Sequence, residues 1–173
     1  PRTDRRPSRS GRGTTAGMTI NYVPTSWFTH RLTLGGDIVQ DLQQSYFPIS
    51  ARGSYTGLLN TGSNSQTRTG TQRYTVDYLA NVERDFGANK AYTLNASAGF
   101  QIIQTYSENI GVTGTGFVVN ANNVISAASQ TSGFGGITDV RQRGYVSQLQ
   151  LGHLDRRFVQ VGVRVDEFSV FGT

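Results

Sequence analysis

The chain has 173 residues, of which only 36% are apolar and 21 are glycine, with a remainder rich in Thr, Ser, Asn and Gln. Such a mixture suits strands and turns better than packed helices. No cysteine is present, which excludes disulfides, thiolate metal sites and a thiol nucleophile, and no apolar run approaches the length of about 18 residues that a membrane helix needs. A spanning protein of this composition would have to be a β-barrel. The net charge of +5 is concentrated in Arg2, Arg5, Arg6, Arg9 and Arg12, among Pro, Ser and Gly. These residues read as a basic flexible segment or truncated loop over 1–13, and no reading helix or interleaved aromatics accompany them, so no nucleic acid is expected as a partner.

In chain order, period-two alternation marks six segments. Met18, Ile20 and Tyr22 alternate with Thr19 and Asn21, and Leu32, Leu34 and Ile38 with Arg31, Thr33 and Asp37. Tyr74, Val76, Tyr78, Ala80 and Val82 face away from Thr75, Asp77, Asn81 and Glu83. Tyr92, Leu94, Ala96, Ala98, Phe100 and Ile102 oppose Thr93, Asn95, Ser97 and Gln101. Tyr145, Leu149 and Leu151 oppose Gln148, Gln150 and Gly152, and Val159, Val161, Val163 and Val165 alternate with Gln160, Gly162, Arg164 and Asp166. The expected strands are 14–22, 27–43, 66–84, 91–106, 139–153 and 157–169, several of them longer than an ordinary strand of about 5–6 residues.

The connections alternate in length. Short turns fall around Pro24, around Gly87 and at Leu154-Asp155-Arg156, whereas long segments around Ser50 to Gly62 and from Ser107 to Ile137 separate the other strands. Short turns at one rim and long loops at the other characterise outer-membrane barrels, and loops of that length are uncommon in compact soluble domains. Aromatics flank the short turns at Tyr22, Phe28, Phe86, Tyr92 and Phe158, with Phe100 and Phe168 about ten residues further along, the expected separation of two girdles. The polar residues Arg31, Asp37, Asp77, Gln148, Gln150, Arg164 and Asp166 share the face opposite the apolar one and are expected to line a wet lumen. The fold class is all-β: an antiparallel up-and-down transmembrane barrel segment, with a soluble sandwich or capsid-type module carrying a basic arm as the competing architecture.

Chemistry is sparse. His30 and His153 are the only histidines and lack a third metal ligand nearby in sequence. The stretch Gly111-Val112-Thr113-Gly114-Thr115-Gly116 lacks the Lys and the strand-to-helix context of a phosphate loop. Asn95-Ala96-Ser97 matches a glycosylation acceptor but falls mid-strand. No enzyme activity, metal or cofactor is expected.

Residues 18–173 also resemble the SusC/RagA-like TonB-dependent outer-membrane transporters. The resemblance is carried by Gly116-Phe117-Val118-Val119-Asn120-Ala121-Asn122-Asn123-Val124-Ile125-Ser126-Ala127-Ala128, by Arg143-Gly144-Tyr145-Val146-Ser147-Gln148-Leu149-Gln150-Leu151-Gly152, and most specifically by the Arg-x-Asp-x-x-Ser-x-Phe-Gly pattern from Arg164 to Gly172. Glu167 and Phe168 depart from the small residues the family favours after the Asp. The resemblance implies that residues 14–173 are part of a barrel of about 22 strands around an N-terminal plug. It further implies import of large nutrients such as oligosaccharides or peptides across the bacterial outer membrane, with a SusD-like surface lipoprotein and the TonB complex as partners. A passive porin or structural barrel is the alternative. On this reading Tyr46, Tyr55, Phe117 and Phe134 are the loop aromatics that could touch substrate.

Overall fold

The computed structural model describes residues 6–49, 61–119, 124–154 and 156–169. They form six strands: β1 (Arg6–Thr25), β2 (Phe28–Phe47), β3 (Ser63–Phe86), β4 (Tyr92–Thr115), β5 (Gln130–His153) and β6 (Arg157–Phe168). Their order in the single sheet is the chain order, β1 to β6. This is an antiparallel up-and-down sheet, as the alternation implies, and the sheet is not closed on itself. Two 3-10 turns, Ala88–Lys90 and Ile125–Ala127, are the helical elements among the described residues.

The turns between β1 and β2, β3 and β4, and β5 and β6 are tight. In the second, Gly87, Asn89 and Lys90 adopt positive φ of 82°, 54° and 55°, the left-handed conformation that reverses a chain within a few residues. Pro24 sits near the end of β1, an outer strand of this sheet, where a missing N–H is best tolerated.

The strands are longer than alternation alone indicates. β4 continues to Thr115 and β5 begins at Gln130, so the expected loop from Ser107 to Ile137 contracts to residues 116–129. β1 begins at Arg6, so residues 6–13 are strand rather than a flexible segment; Arg9 there pairs with Asp41 of β2 at 2.7 Å. The reason is physical: backbone ladders continue where neither face is uniformly apolar, and period-two alternation is absent there.

Packing divides the chain into two compact units. The first comprises Pro1–Thr14, Ile38–Thr71 and Ser107–Thr138. Within it Phe117 is 8% exposed, and its N–H donates to the Thr61 carbonyl at 2.8 Å. Gly116 precedes it with φ 76°, and the Gly116 carbonyl accepts from the Ser129 N–H at 2.9 Å. Asn64 is fully buried, with neither side-chain atom hydrogen-bonded.

The second unit comprises Thr15–Asp37, Gln72–Tyr106 and Asp139–Thr173. One sheet face here is apolar and open. Val159, Val161, Val163 and Val165 are 53–68% exposed, and in register they meet Leu151, Leu149, Ser147 and Tyr145 of β5. Rings extend the same face across the other strands: Tyr22 stacks near His30, His30 contacts Tyr78, and Tyr78 stacks on Phe100 at 5.5 Å. Phe86 stacks on Tyr92, and Tyr92 lies 4.7 Å from His153. The Nδ1 of His30 shares a hydrogen bond with the Tyr78 hydroxyl, which gives that hydroxyl a partner on the apolar face.

This apolar face ends in charge at both limits. Arg143 lies opposite Glu167 at one end of the β5–β6 ladder and His153 opposite Arg157 at the other. Asp139 and Arg141 follow on the same side of β5, ion-paired at 3.3 Å, with Gln104 donating to Asp139. The register also corrects the expected girdle. Phe158 and Phe168 pair with Gly152 and Gln142, so they share the parity of Arg164 and Asp166 and belong to the polar face.

Candidate functional site: the polar face

Side-chain contacts follow the polar face of the second unit from strand to strand. Thr19 and Thr33 hydroxyls meet at 3.3 Å between β1 and β2. Thr75 of β3 lies beside Gly35 of β2, 3.8 Å from where a Cβ there would stand. Gln101 donates to Asp77 at 3.0 Å and Thr93 to Asp85 at 3.0 Å, tying β3 to β4. Thr93 approaches Gly152 on β5, and the Arg164–Asp166 pair of β6 covers Gly144.

These contacts place the expected residues. Arg31 and Asp37 alternate with Leu32 and Leu34 on β2 and share the side of Thr33 and Gly35. Asp77 is half-buried and held by Gln101. Gln148 lies opposite Gly162, and Gln150 opposite Gln160. Arg164 and Asp166, two residues apart on one strand face, close a bidentate ion pair with both Nε–carboxylate distances at 2.9 Å. The pair needs Gly144 beneath it: a Cβ there would lie 2.7 Å from the Asp166 carboxylate. A shallow cavity of about 100 Å3 opens beside it, between Gln101, Ile103, Gln142, Arg164, Asp166 and Phe168. With amides and a neutralised ion pair, this surface can hydrogen-bond a polar ligand or a protein segment. Among the described residues it presents no nucleophile–base pair.

The four loop aromatics fare differently. Tyr46 is half-buried within β2 rather than in a loop. Tyr55 lies outside the described residues. Phe117 follows β4 but is buried, so it packs the first unit and has no free face to offer a ligand. Phe134 belongs to β5 and is 54% exposed. Its ring lies so close over Gly111 of β4 that a Cβ there would overlap it. Beside it, the Asn109 amide lies over Gly136 of β5, where a Cβ would meet its oxygen at 2.7 Å. Sequence reading passed over Asn109 and Gly111; the Gly-Phe-Gly-Gly run at 133–136 was the available signal, because glycines facing a lone aromatic permit close approach.

No protein-family model matches the sequence, and no curated protein does. Solved structures do. The RagAB peptide transporter aligns with a TM-score of 0.82 at 18% identity over 98% of this chain. The RagAB peptide importer in its "open-open" state aligns with a TM-score of 0.84 at 17% identity over 97%, and in its "closed-closed" state with a TM-score of 0.82 at 18% identity over 98%. The chain spans about 19% of the length of the first of those chains. With the strand order and the split into polar and apolar faces, these matches show that the chain has the fold of a six-stranded stretch of a RagAB transporter chain, in keeping with the SusC/RagA-like resemblance of its sequence.

Proposed function

We propose that this chain is wall of an outer-membrane transporter that imports large nutrients, with peptides favoured over oligosaccharides because the similar structures are peptide transporters. The observation that carries the reading is the spacing of charge on the apolar face. Its two limiting rows, Arg143 opposite Glu167 and His153 opposite Arg157, are ten residues apart along β5. At about 3.3 Å per residue and a strand tilt near 40°, that separation spans about 25 Å, the height of the apolar band of an outer-membrane barrel. A soluble sandwich would cover these valines with a second sheet.

In this role the apolar face meets outer-membrane lipid and the polar face lines the lumen. The wall itself needs no catalytic group or cofactor. TonB-dependent energisation and a SusD-like surface lipoprotein partner come with the reading, by analogy with the SusC/RagA-like resemblance. Uptake of a labelled oligopeptide by cells expressing the full-length gene tests it. Uptake that stops when a protonophore collapses the proton-motive force supports energised import. Persistent uptake points to a passive porin instead, and a chain that folds in buffer without detergent points to a soluble module.

A further inference from the structure

We infer that Phe134 and Asn109 form a subsite for an extended peptide bearing a neutral, apolar side chain; the inference rests on the transporter reading above. Phe134 packs one side of its ring on Gly111 across the strand pair and is still 54% exposed. Among the described residues no other ring packs against Phe134, and the Asn109 amide has no hydrogen-bond partner. The ring packs on Gly111, which is buried beneath it, and the amide lies over Gly136. Glycine in those two places lets each side chain lie across the neighbouring strand, leaving the rest of the ring and the exposed amide open side by side to a ligand.

The chemistry of the pair selects the ligand. A primary amide offers a donor and an acceptor, the complement of a peptide unit's carbonyl and N–H. The phenyl carries no polar tip and suits an aliphatic or aromatic side chain projecting from that unit. Alternation places Ser107, Thr113, Ser132 and Thr138 on the same face of β4 and β5, whereas Glu108 and Asp139 fall on the other. The surroundings are therefore uncharged, and a charged side chain would lose hydration there without gaining a counter-ion.

Calorimetry on the full-length transporter in detergent tests this, with three probes: a blocked tetrapeptide of Ala and Leu, its counterpart with Glu replacing Leu, and a neutral hexasaccharide. The expected result is preference for the Leu peptide, weakened about tenfold by Phe134→Ala through loss of one buried apolar contact. Gly111→Ala weakens it similarly by lifting the ring, while Phe134→Leu keeps most of the affinity. Heat-modifiable gel mobility shows whether each variant folds; if Gly111→Ala does not, the Ala and Leu variants at 134 decide. Unchanged Leu-peptide binding in Phe134→Ala overturns the subsite and leaves the transporter reading standing, as does a loss confined to the hexasaccharide. A wild-type protein that binds neither peptide overturns the subsite and the peptide-import reading together.

Discussion

The two compact units are built from the same kinds of strand but solve different solvation problems. In the unit containing Gln72–Tyr106 and Asp139–Thr173, one face is a continuous apolar row, open and bounded by charge, and the other is polar. In the unit containing Ile38–Thr71 and Ser107–Thr138, both faces are mixed: Glu108 and Ile110 occupy alternate positions of one side of β4, and Asn109 and Gly111 those of the other. Its most buried side chains are Phe117 and Asn64, at the ends of strands rather than along them. On the proposed reading the exposed valine row meets hydrocarbon, whereas mixed faces with small packed clusters suit water on both sides.

The largest effect expected from this contrast is at the centre of the apolar row. Val161→Arg should cost about 2–4 kcal/mol of barrel stability, as for a charge at the bilayer midplane, while Ile137→Arg in the other unit should cost less than about 1 kcal/mol. Urea unfolding of the two full-length variants in lipid vesicles checks the difference, and equal losses would erase the contrast. Next, Phe117→Ala should remove about 2 kcal/mol of local stability by deleting a buried ring, read as faster amide exchange around Thr61 and Ser129 while β5–β6 protection is unchanged. A smaller effect belongs to Tyr78→Phe, which deprives His30 of its hydroxyl partner on the apolar face and should cost about 1 kcal/mol in the same unfolding assay.

What could be read from the sequence follows the same division. Val159 to Val165 and Tyr92 to Ile102 announced their strands because one face must be apolar throughout, and Arg31, Asp37, Asp77, Gln148, Gln150, Arg164 and Asp166 fell on the opposite face by the same rule. Where neither face must be apolar, the rule is silent: Ser107–Thr115, Gln130–Thr138 and Arg6–Gly13 are strand, yet they looked like loop or arm. Aromatic spacing misled for Phe158 and Phe168, since distance along a strand does not fix parity and their even numbers align them with Arg164. Phe134 stands out in the sequence as an aromatic among glycines, but its seat on Gly111 does not, because the pairing of residue 111 with β5 depends on the length of the intervening loop, which no local pattern encodes.

The most direct measurement is a nitroxide scan of β6 in the full-length protein reconstituted in lipid. These 173 residues contain no cysteine, so in a full-length background freed of any cysteine elsewhere, single cysteines at positions 159 to 165 can each carry the label. The account predicts alternation: labels at 159, 161, 163 and 165 accessible to oxygen and shielded from a water-soluble nickel complex, and labels at 160, 162 and 164 the reverse. Uniform access to the nickel complex along β6 would contradict it, because the valine face would then meet water rather than hydrocarbon.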